Sequence, residues 1–186
     1  MKLFWAVLAV LALAGCSGGK DAVVPGSSFS FVSPGGKVDI TYDDAQRQTA
    51  PVLAGDDLMN EGKQLSLADF PGKVVVLNLW GQWCGSCRTE APEMEALARQ
   101  GVQVVGIDVR DPAREVAQDF VRDRGLTYPS IYDPDGRVLL KLSGYPRNII
   151  PSTIVLDKQH RVAAVFLRQV LAQDLLPVAR RLAAEA

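Results

Sequence analysis

The chain has 186 residues, 48% of them hydrophobic, and a formal net charge of −1. This balanced charge and the lack of a long basic run argue against nucleic acid as a partner. Only three cysteines are present, so the composition does not indicate a scaffold held together by several disulfides.

The first fifteen residues are predicted to be a signal peptide. Lys2 supplies a positive charge, and residues 3–13 form an apolar stretch that is short for a membrane span. Residues 13–16 (LAGC) then resemble a bacterial lipobox, in which Cys16 becomes the lipidated first residue of the mature protein. The alternative is an ordinary cleaved signal followed by a stray cysteine. With lipid on Cys16, we expect the protein to be anchored to the lipid bilayer through this residue, on the extracytoplasmic face of the bacterial cell membrane.

Residues 16–36 are predicted to be a membrane tether, because residues 17–33 are rich in Gly and Ser without apolar periodicity. Residues 37–186 are predicted to form one domain. Alternation of strands and helices, followed by a hairpin and a helix, predicts an α/β fold with a mixed sheet and helices on both faces. The predicted elements are a strand at 37–42, a hairpin or a strand and turn within 50–70, strands at 74–80 and 102–109, helices from the motif to about 100, at 111–124 and at 136–143, a hairpin over 149–167 and a helix at 171–184.

The most informative motif is WCGSC at residues 83–87, which joins a predicted buried strand to a helix. A cysteine at a helix start faces unpaired N–H groups and the positive end of the helix dipole, which favour the thiolate that attacks disulfides. As a structural staple, so short a disulfide loop would contribute only about 2 kcal/mol. As half of a zinc site, the pair would need two more ligands, with only His160 and Cys16 as candidates. Redox chemistry is therefore favoured, with no metal and no cofactor.

Residues 75–92 (VVLNLWGQWCGSCRTEAP) resemble the strand, aromatic residues, redox motif and helix proline of the thioredoxin fold, in particular the TlpA/ResA-like group of membrane-tethered thiol–disulfide oxidoreductases. The resemblance covers about residues 49–184. Residues 50–51 and 63–73 resemble that group's N-terminal β-hairpin addition, and about 111–144 its central insertion.

The resemblance implies roles for the motif and for one loop. Cys84 corresponds to the attacking cysteine, expected to be exposed, and Cys87 to the resolving cysteine, expected to turn inward. Ile150 and Pro151 match the loop whose proline is cis in this fold and whose backbone accepts a substrate strand. The alternative is a trans proline that opens a strand. Trp83 is interpreted as a wall of the active site.

Two departures from thioredoxin concern the mechanism. Asn78 stands where thioredoxin has a buried Asp, and because Asn cannot take the proton of Cys87, another base is needed. By the resemblance, Asp111 lies closest to a Glu used by ResA-like proteins, although an Asp before Pro112 is also a typical helix cap. The second departure is a Gly-Ser dipeptide between the cysteines, from which the direction of catalysis cannot be deduced.

Three further residues are given structural interpretations. Trp80 is expected to pack in the core and Pro92 to bend the motif helix. His160 lies in a predicted turn and is expected to be solvated rather than catalytic.

The resemblance implies a reductase of exported proteins, kept reduced by a membrane thiol donor such as a CcdA-like protein and acting on clients such as apocytochrome c before haem attachment. The alternative is a disulfide-forming oxidase for exported proteins. More remote alternatives are a thiol peroxidase, although no separate peroxidatic cysteine is evident, and a non-catalytic binding lipoprotein.

Overall fold

The computed structural model describes residues 30–185. The predicted signal peptide, the predicted lipidation residue Cys16 and most of the predicted tether lie outside the described residues. The strands are β1 (Asp39–Thr41), β2 (Ala54–Asp57), β3 (Gln64–Ser66), β4 (Val75–Trp80), β5 (Gln103–Val109), β6 (Ser130–Asp133), β7 (Ser152–Leu156) and β8 (Val162–Phe166). The α-helices are α1 (Gly85–Arg99), α2 (Arg114–Asp123) and α3 (Ala172–Ala184).

The eight strands form one mixed sheet in the order β1-β8-β7-β4-β5-β6-β2-β3. Strands β4, β5 and β6 are parallel, and the remaining neighbours pair antiparallel. The β2–β3 hairpin extends one edge of the sheet, in the region that resembles the family's hairpin addition. Strand β4 lies at the centre, and all six of its residues are buried, as expected for a strand covered on both faces.

The two faces of the sheet are covered differently. Apolar residues of α1, α2 and α3, such as Met94, Val121 and Leu182, belong to one core cluster together with Val76 of β4. The opposite face is covered by loops and by short 3₁₀-helices, including Leu67–Asp69 and Leu139–Lys141. The mixed sheet is confirmed, whereas the prediction of helices on both faces holds only if these single turns are counted. The predicted helix at 136–143 was wrong in extent, since only Leu139–Lys141 is helical.

The fold positions the motif at one end of this sheet. Residues 81–84 follow the carboxyl end of β4, and α1 begins immediately afterwards. Strand β7 runs antiparallel to β4, with Ser152 opposite Leu79, so the loop before β7 reaches the same end. Each helix within residues 30–185 is too short or too polar to cross a bilayer.

Candidate active site

The two motif cysteines occupy the start of α1 and form a disulfide. Cys84 is the N-cap residue, and its Sγ accepts a hydrogen bond from the backbone N–H of Cys87 at 3.1 Å. The hydroxyl of Ser86 lies 3.5 Å from the same sulfur. These donors and the positive end of the helix dipole would stabilise a thiolate at position 84, which is the electrostatic environment that lowers a thiol pKa.

The expected exposure of Cys84 was wrong for this oxidised state. Cys84 is 5% exposed and Cys87 is 2% exposed, so both are buried. The reason is tertiary, because the loop before β7 covers the helix tip. The carbonyl oxygen of Ile150 in that loop lies 3.7 Å from the Sγ of Cys84.

The loop that covers Cys84 contains the predicted cis proline. The Ile150–Pro151 peptide bond is cis, and Pro151 is buried. The next residue, Ser152, accepts a hydrogen bond from the buried hydroxyl of Tyr145 at 2.8 Å, which ties the two ends of the loop together. The backbone of Ile150 therefore faces the reactive sulfur from a braced loop.

Trp83 forms one side of the site. It is 43% exposed, and its Nε1–H donates a hydrogen bond to the carbonyl of Val109 at 2.9 Å, so the ring is held flat against the end of β5. A side chain at Gly81 would overlap this indole, which explains why glycine stands there. Trp80 is buried and stacks on Phe120 with ring centroids 5.2 Å apart, as a core residue does.

Glu90 is a site residue that the sequence analysis missed. It is 1% exposed, and its carboxylate accepts hydrogen bonds from the Nδ2 of Asn78 at 2.9 Å and from the backbone N–H of Val170 at 2.8 Å. Burial raises the pKa of Glu90 to about 7, although these two hydrogen bonds oppose the rise. The group is therefore close to half-protonated at neutral pH.

Helical periodicity was the signal that could have identified Glu90. It lies three residues after Cys87 and one before Ala91, and both of these face the core. A carboxyl group on this face of α1 must be buried one turn beyond the resolving cysteine. Asn78 of the neighbouring strand then meets Glu90 at the position where thioredoxin has its buried Asp.

Asp111 does not cap a helix, so that interpretation was wrong. Helix α2 begins at Arg114 and has Ala113 at its N-cap, because residues after β5 first turn back beneath the motif. The Oδ2 of Asp111 instead accepts the backbone N–H of Gln82 at 2.7 Å, two residues before Cys84. Asp111 is 1% exposed, and its own backbone carbonyl accepts the hydroxyl of Tyr132.

Asp108 lies beside Asp111 and is fully buried. Its pKa is raised to about 9, first by burial and then by the neighbouring carboxyl groups of Asp111 and Asp133; Arg114 opposes the rise. Asp108 is therefore protonated at neutral pH, and it lies next to Asp111, which binds the loop that precedes Cys84.

Two remaining predictions concern Pro92 and His160. Proline at 92 has no N–H for the carbonyl of Arg88 one turn earlier, and that carbonyl accepts Nη1 of Arg124 at 3.1 Å instead. His160 lies in a turn as predicted, but it is only partly exposed and its Nε2 lies 3.0 Å from the carbonyl oxygen of Phe70. It lies at the opposite end of the sheet from the motif, in the turn between β7 and β8. Within residues 30–185 the fold brings together no cluster of His, Cys, Asp and Glu suited to a metal ion.

Comparison with known proteins gives consistent matches. The model of the AhpC/TSA family matches residues 45–165. The thiol-disulfide oxidoreductase ResA of Geobacillus thermodenitrificans is 34% identical over 131 residues, which cover 68% of this chain and 72% of that protein. The thiol:disulfide interchange protein DsbE of Pseudomonas aeruginosa is 33% identical over 129 residues, which cover 67% of this chain and 70% of that protein.

Among solved structures, a secreted thiol-disulfide isomerase from Corynebacterium glutamicum has 52% sequence identity and a TM-score of 0.83. The match covers 85% of this chain and 99% of that one. The predicted thioredoxin fold is confirmed.

Proposed function

Since the chain belongs to the AhpC/TSA family and is a thiol-disulfide oxidoreductase of the ResA/DsbE type, we propose that it reduces disulfides of exported client proteins through Cys84 and Cys87. The observation that carries this proposal is the position of Cys84 at the N-cap of α1, with the N–H of Cys87 on its sulfur. A dithiol placed there has a stabilised leaving group and a partner within reach.

The reaction proceeds by two exchanges. The Cys84 thiolate attacks one sulfur of a client disulfide, which forms a mixed disulfide and releases the other client sulfur as a thiolate. The Cys87 thiolate then attacks the Sγ of Cys84 and releases the second client sulfur, leaving the Cys84–Cys87 disulfide. Two electrons pass to the client, whose two thiolates take up two protons. A membrane thiol donor of the CcdA-like kind would restore the dithiol.

The second exchange needs a group that takes the proton of Cys87. We propose Glu90 for this role, because it lies one helical turn from Cys87 on the same face and has a pKa of about 7. Asp111 is the second candidate, acting through the loop whose Gln82 N–H it accepts. If Glu90 is the base, Glu90→Gln slows resolution of the mixed disulfide while Asp111→Asn does not; the reverse result assigns the role to Asp111.

Trp83 and the loop at Ile150 and Pro151 are proposed to receive the client. Trp83 offers an exposed indole face beside Cys84. The backbone of Ile150, opposite the sulfur, would pair with an extended client segment, in the manner of strand addition. Such pairing holds the client disulfide near Cys84 without depending on its sequence.

Lipidation of Cys16 is proposed to anchor the enzyme at the outer face of the cell membrane, and residues 16–36 to tether it there. The lipobox resemblance supports the anchor, and the secreted corynebacterial relative supports a location outside the cytoplasm. Apocytochrome c is the proposed client, by resemblance to the TlpA/ResA-like group. A Cys16→Ala variant found in the membrane fraction as fully as the parent would contradict the anchor.

Disulfide formation in exported proteins is the second candidate function. The relative at 52% identity is a secreted thiol-disulfide isomerase, and this favours an activity that leaves disulfides in exported proteins over one that removes them. The reduction potential of the Cys84–Cys87 pair against glutathione, with the redox state of the pair in cells, separates the two. A mostly oxidised pair in growing cells argues for the oxidase.

A Cys87→Ser variant tests the proposal directly. Without the resolving thiol, the mixed disulfide between Cys84 and a client accumulates and can be isolated from cells and identified by mass spectrometry. The matched control is the Cys84→Ser, Cys87→Ser double variant, which should capture nothing. Capture that is equal in the two variants would contradict the role of Cys84, and a trapped client other than an apocytochrome would correct the proposed substrate.

A further inference from the structure

The arginines of the described chain divide into two groups by their partners. Eight of the thirteen form an ion pair with Asp or Glu, namely Arg47, Arg99, Arg114, Arg122, Arg137, Arg161, Arg168 and Arg181. Five form none within residues 30–185: Arg88, Arg110, Arg124, Arg147 and Arg180. Four of these five surround the start of α1, and only Arg180, on α3, lies elsewhere. Four exposed guanidinium groups close to the cysteines thus form no ion pair within residues 30–185.

Two of the four line a groove on the side of the loop that precedes Pro151. Arg110 and Arg147 stand at this groove of about 400 Å³, and apolar side chains such as Val109, Leu139 and Tyr145 also line it. The flanking pair Arg88 and Arg124 differs, because Asp119 and Asp123 stand beside it.

The charge of the groove is positive. Its one lining acid, Asp135, forms an ion pair with Arg137 at 3.2 Å. Asp108 and Asp111, the acids nearest in sequence to Arg110, are both buried and form no ion pair with it. Both Arg110 and Arg147 are exposed, so they present two uncompensated positive charges to whatever enters.

Arg110 adopts a backbone conformation that favours glycine. Its φ is 62°, and His160 is the other non-glycine residue with positive φ in the described chain. Side chains other than Gly, Asn and Asp are disfavoured there, and such conformations concentrate at functional sites. The guanidinium of Arg110 reaches the loop on the other side of the groove, where its Nη2 donates a hydrogen bond to the backbone carbonyl of Arg147 at 2.6 Å.

The groove continues the surface that receives the client. Val109 holds the indole of Trp83, and Arg147 precedes Ile150 by three residues. Three Cα–Cα steps of 3.8 Å limit that separation to about 11 Å. An extended client segment advances about 3.3 Å per residue, so a client paired with Ile150 brings a side chain two or three residues from its cysteine to the two arginines.

We propose that Arg110 and Arg147 select clients that carry Asp or Glu within about three residues of the reactive cysteine. The arginines are specificity-determining residues, and the apolar floor accepts the stem of the acidic side chain. The inference rests on the proposed function, because it names the chemistry of the client that Cys84 attacks.

Matched disulfide peptides test the selection. Three peptides are identical except at the positions two and three residues from the cysteine, which carry Asp in the first peptide, Asn in the second and Lys in the third. For each peptide, kcat/KM for reduction is measured at low and at high salt. The reduced full-length enzyme should prefer the Asp peptide over the Lys peptide by about fivefold to tenfold at low salt, and high salt should shrink the preference. Equal rates for the three peptides at low salt would overturn the inference.

Variants of Arg147 separate the effect of the arginine from the intrinsic reactivity of the peptide. A neighbouring charge changes the reactivity of the peptide's own sulfur, so the decisive quantity is the Asp-to-Lys preference of each variant relative to the parent. Arg147→Gln should lose most of the preference, and Arg147→Lys should keep most of it because the charge remains. Arg180→Gln is the control, since that arginine is also exposed and unpaired but distant, and it should leave the preference unchanged.

The side chain of Arg147 has no partner within residues 30–185, so its loss should not disturb the fold; only its backbone carbonyl is used, by Arg110. A preference that survives in Arg147→Gln and in Arg110→Gln overturns the inference. Failure of the proposed function has a different signature, because the enzyme would then reduce none of the peptides, including the Asn peptide.

Discussion

The two ends of the central sheet differ in the partners that they give to buried carboxyl groups. Leu79 pairs with Ser152 near the motif, and Val75 pairs with Leu156 at the far end, next to Asp157. At that far end, the buried guanidinium of Arg47 lies 3.2 Å from the carboxylate of Asp157 and binds both oxygens of Glu185. At the motif end, buried carboxyl groups face N–H donors or one another instead of a paired cation.

The pKa values follow this division. The hydrogen bond from Arg47 lowers the pKa of Glu185, which keeps that carboxylate charged. Burial raises the pKa of Glu90 to about 7 and that of Asp108 to about 9. The far end therefore uses charge to fasten the chain near β1 to the end of α3, whereas the motif end holds protons beside its cysteines.

This difference indicates what each end contributes. A buried ion pair is costly to break, because the remaining charge is stranded away from water. A buried carboxyl group without a cation lowers stability at neutral pH but can give or take a proton there, as proton transfer to and from thiols requires. Residues that weaken the fold are therefore concentrated where the chemistry occurs.

The largest expected effect comes from breaking the ion pair at the far end. Arg47→Leu leaves Asp157 with only Arg161 and removes both bonds to Glu185, so the free energy of unfolding should fall by about 3 kcal/mol, measured by chemical denaturation. Asp44→Asn is the control, because that carboxylate is 73% exposed in its contact with Arg161 and its loss should cost less than about 1 kcal/mol. A loss below about 1 kcal/mol for Arg47→Leu would contradict the comparison.

Asp108→Asn should have the next largest effect on the free energy of unfolding. At alkaline pH the change should have the opposite sign to that of Arg47→Leu, because the variant is then more stable than the parent. A carboxyl group whose pKa is higher folded than unfolded binds more protons when folded, so stability falls as pH rises between the two values. For Asp108 this interval runs from 3.8 to about 9. Asn has nearly the same size and polarity as Asp but does not titrate.

The parent should lose about 3 kcal/mol of stability through Asp108 between pH 6 and pH 8, and the Asn variant should lack that slope. Denaturation of the oxidised protein across this range measures it without interference from ionising thiols. Equal slopes in the two proteins would show that Asp108 does not hold the proton.

Glu90→Gln should show the smallest effect of the three on stability. Its interval runs from 4.5 to about 7, so the parent loses about 2 kcal/mol between pH 5 and pH 8 through this group, and the Gln variant should be flatter by that amount. Unlike Asp108→Asn, it should also remove the pH dependence of mixed-disulfide resolution near pH 7. A resolution rate that still rises through pH 7 in this variant would exclude Glu90 as the base.

The local sequence pattern by itself determined the strand, the helix and the position of the reactive cysteine between them. The apolar run of β4, the motif and the following helical periodicity predicted a strand and a helix that meet at Cys84, because these signals lie within a few residues of each other. The resemblance of residues 75–92 added the family and the fold, and the cis proline that it predicted at position 151 is present. The interpretations of Trp80 as core and of Trp83 as an exposed wall agree with the side-chain alternation of the strand and its end.

Tertiary structure alone decided which polar groups share the interior with the cysteines. Asp111 reads locally as a helix cap, yet it binds Gln82 from 29 residues away. Glu90 is buried by the docking of Asn78 and Val170, and Cys84 is covered by the loop at Ile150. A pKa or an exposure depends on neighbours that the chain brings together only on folding, so no local pattern encodes it.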